Sequence, residues 1–397
     1  MSIDEYILQH RSENVNTLAL QLTGNPDAPF ILQQIEGYQR LRLKVPSWAE
    51  TTGILFPPRI SVEQCSSEET ARYKYDIAKR ILPEGGSFVD LTGGYGVDFT
   101  LLARHFQEAC YVERNASLCH IVRHNLPLMG IRHAEVVEGE AEEVLRAMPH
   151  ADLVLLDPAR RDSAGRKVVA LSDCTPQVEA LWPTLLQKAS VVMLKLSPML
   201  DITAVVRALV GIREVHIVSV QGECKELLCI ADADTASSAE APTIYCRESD
   251  FVFVFSSPEE QAAQPVYTER PARYLYEPAP SLLKAGAMRL LCPRFGIKKL
   301  APLSHLYTSD TLVSTFPGRI FQTMSVTGVG KRDTAQLRGT KANLAVRGFP
   351  ATVAELRKKW HLLDGGSRFL FATQNYRGEK LLISTERCDI SPASSSK

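Results

Sequence analysis

Hydrophobic positions divide this chain into a helical beginning, an alternating middle and a compact end. Up to about residue 80 the apolar residues recur at three- and four-residue intervals, as in "PFILQQIEGYQRLRLKV", the spacing of one helical face. "SSEETARYKYDIAKRIL" carries Tyr73, Ile77 and Ile81 at helical intervals, with Ser66 and Glu69 spaced as in a capping box. After "PEGG", short apolar runs ("SFVDL", "EACYVER", "AEVVEG", "ADLVLLD", "SVVMLKLSP") alternate with helical stretches ("VDFTLLARHF", "ASLCHIVRHNLPLMG", "AEEVLRAM", "TPQVEALWPTLLQKA"). This alternation predicts right-handed βαβ units and a parallel sheet covered on both faces. The pattern then changes. "REVHIVSVQ" and "CKELLCIAD" are split only by "GE", which predicts a hairpin closing the sheet.

Beyond it, "TASSAEAP" (235–242) reads as a small polar loop, "FVFVFSS" as a strand, and the proline-rich stretch 257–280 as a linker. A small unit follows to about 320. The end is a compact pattern: strand "ANLAVRGFP", helix "TVAELRKKWHL" with Thr352 and Glu355 at capping-box spacing, then strands "RFLFATQ" and "EKLLIST". The serine-rich tail after Ile390 is expected to be disordered. The expected organisation is an N-terminal helical region (1–80), an α/β domain (81–256), a linker with a small α+β domain (257–320) and a C-terminal domain (321–397).

Charge narrows the partners. The 45 basic residues are matched by 45 acidic ones, so no global field points to nucleic acid or membrane. A local one exists. Between Lys331 and Lys359 basic residues stand at 331, 332, 338, 341, 347, 357, 358 and 359, against acids at 333 and 355. That asymmetry is either an RNA footprint, with Lys331, Arg332, Arg347 and Lys358 as candidate contacts, or a solvated helix face at "RKKW". No apolar run reaches the roughly 20 residues that cross a bilayer. The start, "MSIDEYILQHRSE", has acids where a signal peptide has a basic region. The nine cysteines lack CxxC or metal-ligand spacing, which points to reduced thiols in a cytoplasm, with no metal and no membrane partner.

The candidate chemistry begins at "FVDLTGGYGVDF", between the first strand and first helix of the alternating region, where glycine lets backbone approach a ligand. A dinucleotide fingerprint would need a third glycine where Phe99 stands. Asp90 ends the strand before the loop and Glu113 ends the next. Two acids repel a pyrophosphate but suit a cationic amino-acid moiety and a ribose. Glu140, after the third strand, is placed to accept from an adenine amino group, or is a helix N-terminal acid.

The ordered set Asp90–Thr92–Gly94–Gly96, Glu113, Glu140 and Asp157-Pro158 resembles class I S-adenosylmethionine-dependent methyltransferases over about residues 66–235. Thr92 departs from the glycine many of them carry. "EQCSSEETARYKYD", "DLTGGYGVDF", "DPARR", "SHLYTSD" and "FPGRIF" further resemble a bacterial methyltransferase group with a C-terminal THUMP-like domain, over most of the chain. The resemblance implies an α/β, Rossmann-like class I methyltransferase sheet, parallel with a terminal antiparallel hairpin, flanked by an N-terminal helical region and small α+β C-terminal domains. It implies S-adenosylmethionine as the donor, structured RNA as the substrate, and Asp157, Pro158 and Arg160 facing the acceptor.

In amine-methylating relatives the fourth-strand motif is an acid or amide, two prolines and an aromatic ring. Here Ala159 and Arg160 replace the second proline and the ring. Arg160 either stacks on a base or holds a phosphate. Carbon-5 chemistry needs a cysteine nucleophile, for which Cys174 is the candidate, since the fifth-strand motif "KLSPMLD" has none. Lys195 either reaches the site or snorkels at the strand end. Tyr73 and Lys74 stand on the helix before the glycine loop, where such enzymes cover the donor; for Tyr73 a packing role is the alternative. Methylation of an exocyclic amine is the expected reaction. The rivals are an RNA-binding protein with a degenerate donor site and an NAD-dependent oxidoreductase, the latter disfavoured by Phe99 and the hairpin.

Overall fold

The computed structural model describes residues 2–160, 170–234 and 240–388. Arg161, most of the polar loop from 235, and the serine-rich tail lie outside them. The chain forms two compact units, Met1–Glu214 with Glu226–Glu240, and Val215–Lys225 with Ala241–Lys397.

The first unit is built on β1 (Ser87–Asp90), β2 (Glu108–Glu113), β3 (Ala134–Glu138), β4 (Ala151–Leu156) and β5 (Ala189–Leu196); β6 (Ile212–Val220) and β7 (Glu223–Ala231) follow, with Val215–Lys225 belonging to the second unit and the rest of β7 to the first. The strands β1 to β5 pair in parallel, and β7 pairs antiparallel with β5, in the order β7-β5-β4-β1-β2-β3. β6 turns into β7 through Gln221 and Gly222, both at positive φ (53° and 76°), the backbone that a two-residue hairpin requires. This is the expected parallel Rossmann-like sheet with a terminal hairpin. β4 reads as an unbroken apolar run because it is covered on both faces; Leu153 to Leu156 are at most 1% exposed. Phe99, where a dinucleotide site would have glycine, is buried against Phe88 and Tyr111. Its ring fills core rather than opening a ligand path.

The N-terminal helices, Ala28–Lys44 the longest, pack on the helix that follows the glycine loop: Leu41, Val45, Trp48 and Phe56 share a core with Tyr95, Val97 and Leu101. The helix Glu68–Ile81 is capped by Ser67, whose hydroxyl accepts from Thr70 N at 3.2 Å. The capping-box spacing pointed to Ser66; that side chain is instead buried and turned towards charged groups described below. The cap shifts by one residue because Ser66 has stronger partners inside.

In the second unit β8 (Thr243–Glu248) and β9 (Phe251–Ser256) form a hairpin. The stretch that reads as a linker carries the helix Ser257–Ala262 and the strand β10 (Tyr274–Pro278). Its prolines stand largely at element ends, where a missing N–H costs nothing, so proline content alone misleads there. β11 (Lys298–Lys299), β12 (Tyr307–Ser309), β13 (Gly318–Thr327), β14 (Asn343–Arg347), β15 (Arg368–Gln374) and β16 (Lys380–Arg387) complete a seven-stranded sheet, ordered β11-β12-β10-β13-β16-β15-β14. β13 runs without interruption across position 320. β14 and β15 are parallel and need a crossover, supplied by the helix Val353–Trp360, whose Leu356 and Trp360 pack on Leu344 and Leu370. Its N-terminus is closed by the Thr352/Glu355 capping box.

One contact shapes this sheet. Glu277 on β10, only 3% exposed, pairs with Arg319 on β13 and with Arg347 at the end of β14, whose Nε lies 2.7 Å away. Four strand spacings on a flat sheet amount to about 19 Å, beyond the reach of an arginine. The sheet therefore curls, around Leu275, Leu300, Leu306, Phe321 and Phe371. Among the described residues no helix is long and apolar enough to cross a membrane.

Candidate active site

Ligands in open α/β sheets bind outside the carboxyl ends of the strands, where the chain leaves β1, β2 and β4. The loop after β1 is built for close approach. Gly94 and Gly96 have φ of +55° and +85°, in the left-handed region. Gly93 is required for a different reason: a Cβ there would lie 2.0 Å from the Tyr111 ring, whose hydroxyl donates to Gly94 O. Glu113, ending β2, accepts from Gly94 N at 3.0 Å and from Asn115 N at 2.9 Å, so its carboxylate closes the loop from the second strand.

Asp90 is buried and accepts from Thr92 N at 3.0 Å. Burial pushes its carboxyl well above the usual aspartate range, against the pull of that hydrogen bond. Among the described residues no cation lies within ion-pair distance of it. A buried acid without a counter-ion is the feature an incoming ammonium group would satisfy, and it fits the amino-acid end of an S-adenosylmethionine molecule. The Thr92 hydroxyl accepts from Asp157 N at 2.6 Å and so ties the loop to the end of β4. A glycine at this position could not make this bond.

Gly139 N donates to Glu113 O at 3.1 Å, which brings the end of β3 to the same edge. Glu140 follows as the N-cap residue of the helix Ala141–Ala147, exposed and making no side-chain cap bond. Asp90, Thr92, Gly94, Glu113 and Asp157 are thus linked by hydrogen bonds at one edge, with Gly96 in the same loop, while Glu140 is brought near that edge only through the backbone of its neighbour Gly139. Pro158 is buried. Ala159-Arg160 pairs antiparallel with Cys174-Thr175, so the backbone of the motif is held by the segment that carries Cys174; the Arg160 side chain lies outside what is described.

Next to Asp157 stands a cluster that the sequence did not assemble. Lys195 Nζ lies 2.6 Å from Asp157 Oδ2, 3.0 Å from Ser66 Oγ and 3.4 Å from Asp98 Oδ2. Lys74 Nζ, fully buried, lies 3.1 Å from Asp98 Oδ1 and pairs with Glu226 on β7. Ser66 Oγ donates to Asp98 Oδ2 at 2.6 Å. Burial opposes charge on Lys195, but Asp157, Asp98 and Glu226 outweigh it and hold its ammonium well above the ordinary lysine value. Burial also works against the Asp98 anion; Lys74 and Lys195 reverse that and lower its pKa. Lys195 therefore reaches the site rather than snorkelling, and Lys74 packs beneath it. One signal was available for Asp98: an acid inside "VDFTLLA", a helix buried along its whole length, needs a partner. Glu226 had no such mark in its strand.

In the second unit Lys331, Arg332 and Lys358 are exposed and have no ion-pair partner among the described residues. Arg347 differs: its guanidinium is committed to Glu277 and Val346 O.

The sheet, its terminal hairpin and the acid-flanked glycine loop define the class I methyltransferase architecture. The chain matches a THUMP domain-like family model over residues 318–387 and a ferredoxin-like domain over 274–317. A crystal structure from Porphyromonas gingivalis W83 is 32% identical over 98% of both chains, with a TM-score of 0.84. Smaller proteins also match. Escherichia coli yhhF is 15% identical over 41% of this chain and 87% of its own, with a TM-score of 0.31. SMU.1697c of Streptococcus mutans, solved in complex with SAH, is 11% identical over 40% and 94%, with a TM-score of 0.32. All three are described as putative methyltransferases. No curated protein matches significantly. The chain belongs to the family of the P. gingivalis protein, class I methyltransferases that carry a C-terminal THUMP-like domain.

Proposed function

We propose that the chain transfers a methyl group from S-adenosylmethionine to structured RNA. The observation that carries this is the juxtaposition, at one sheet edge, of a buried unpaired acid, a glycine cradle closed by Glu113, and Asp157 tied to that cradle through Thr92. Asp90 faces the amino-acid part of the donor, Thr92, Gly94 and Gly96 supply close backbone, Glu113 takes the ribose hydroxyls, and Glu140 the adenine. The donor supplies an electrophilic methyl on a sulfonium. Asp157, with Pro158 and Arg160, holds the acceptor in line with it, the positioning that such a displacement chiefly needs. Asp157 suits this role because its side chain is 40% exposed and one oxygen is fixed by Lys195.

The donor reading is tested by calorimetry with S-adenosylhomocysteine. The unaltered chain should bind it, and Glu113→Ala should weaken binding by roughly 1–3 kcal/mol, the cost of losing charge-assisted hydrogen bonds to a ribose. Binding of NAD with no response to S-adenosylhomocysteine would exclude it.

RNA is supported by the THUMP-like match and by the free cations on it. Neutralising phosphates releases condensed counterions, so affinity should fall steeply with salt. Changing Lys331, Arg332 and Lys358 together to glutamate should lower RNA affinity at least about tenfold and flatten the salt dependence. Arg347 is left unaltered, since its loss would take from the buried Glu277 one of its two guanidinium partners and leave only Arg319 among the described residues. If the triple variant binds RNA like its parent, this patch is ordinary surface.

A further inference from the structure

The ions beside Asp157 are more than a strand end requires. Two ammonium groups, Lys74 and Lys195, and three carboxylates, Asp98, Asp157 and Glu226, are linked through Ser66. Buried ion pairs are a weak source of stability, because desolvation consumes most of their attraction. Within this cluster exposure rises in one direction, from 0% for the Lys74 side chain through 10% for Lys195 to 40% for Asp157. Among the described residues no hydrogen bond reaches Asp157 Oδ1. The cluster thus presents a part-exposed carboxylate, one of whose oxygens accepts no hydrogen bond from the described residues, with an ammonium immediately behind it.

Three carboxylates outnumber two ammoniums here, so what discriminates between acceptors is local: the charge that develops on the one atom Lys195 touches. A neutral exocyclic amine gains positive charge on nitrogen as it takes a methyl group, and an ammonium at hydrogen-bond range opposes that. A hydroxyl oxygen gains negative charge as its proton leaves, and the same ammonium stabilises it. In RNA the sugar hydroxyl along the chain is the 2′-OH.

We propose that the Asp157–Lys195 pair is a hydroxyl-activating site and that the acceptor atom is a ribose 2′-oxygen of RNA. This rests on reading the chain as an S-adenosylmethionine-dependent RNA methyltransferase, and it replaces the exocyclic amine as the target. The hydroxyl donates to Asp157 Oδ1, while Lys195 turns to its oxygen the N–H that otherwise makes the longest of its three contacts, 3.4 Å to Asp98 Oδ2. The O–C bond forms as the donor's C–S bond breaks, with that electron pair passing to sulfur. The proton passes to Asp157 and from its exposed side to water. Lys195 is then a catalytic residue. Lys74 is a positioning residue, acting through Asp98 and Ser66.

The test uses the full chain, S-adenosylmethionine with an isotopically labelled methyl group, and total RNA from cells deleted for the gene. The RNA is digested to nucleosides and each is fragmented in the mass spectrometer at its glycosidic bond. The label is expected on the ribose fragment. A label on the base fragment overturns the hydroxyl site while RNA methylation stands. No label in RNA, with no binding of S-adenosylhomocysteine, overturns both. Lys195→Met is expected to lower turnover at least a hundredfold, with S-adenosylhomocysteine affinity within threefold of the parent, and Lys195→Arg to recover at least tenfold of that loss. Turnover within threefold for Lys195→Met makes the lysine a structural partner and overturns the assignment. The fragment assay needs only the unaltered chain, so it decides the question whether or not the variants fold.

Discussion

Replacing Lys74 with methionine should destabilise the first unit by about 3–5 kcal/mol, the usual cost of removing one partner from a buried ion pair. Methionine matches the lysine stem in length, so packing changes little. What is lost, among the described residues, is the one ammonium paired with both Asp98 and Glu226, which are nearly inaccessible to water. Lys195 would remain near Asp98, at 3.4 Å, but is already paired with Asp157. The double variant Lys74→Met with Glu226→Gln should recover part of the loss, because it also removes the stranded carboxylate. Urea unfolding of the full chain, read from the transition of the first unit, measures both. A loss below about 1 kcal/mol for the single variant would mean that water reaches the cluster and that its ions are solvated.

Asp157→Ala should abolish detectable methyl transfer to RNA while leaving S-adenosylhomocysteine affinity within about threefold. An acid that orients the acceptor acts chiefly in the transition state, so its loss appears in turnover and not in donor binding. The side chain invites this substitution: it is part-exposed, and the tie to the glycine loop runs through its backbone N–H, which alanine keeps. The fold should tolerate the change better than the loss of Lys74, since Lys195 still has Asp98 and Ser66. Calorimetry paired with label incorporation separates the outcomes. Equal losses of donor binding and turnover would make Asp157 a structural end of β4.

Much of the first unit was legible from local pattern. Buried parallel strands are unbroken apolar runs, the helices between them other than the fully buried Val97–Ala103 carry one apolar face, and the break at "GE" marked the hairpin to within one residue of its Gln221-Gly222 turn. The second unit was less so. "TIYCRE" became β8 and "GRIFQTMSVT" became β13 through pairing with distant partners, and the prolines of 257–280 sit at element ends. Local propensity does not report such pairings.

The same division holds at the site. Asp90, the glycines, Glu113 and Asp157 stand at strand ends, and strand ends of one parallel sheet share an edge, so their order along the chain already placed them together. The basic excess at 331–359 was likewise countable, yet only the folded sheet shows Arg347 spent on Glu277 while Lys331, Arg332 and Lys358 stay free. Lys74, Asp98, Lys195 and Glu226 come from two helices and two strands more than 150 residues apart at the extremes, and none carries a local mark of its partner. Ion pairing depends on distance in space and on the water excluded around it. The sequence by itself determined which strand ends share the candidate edge, because that follows from strand order; only the tertiary structure decided which lysine faces which acid, because burial has to bring them together first.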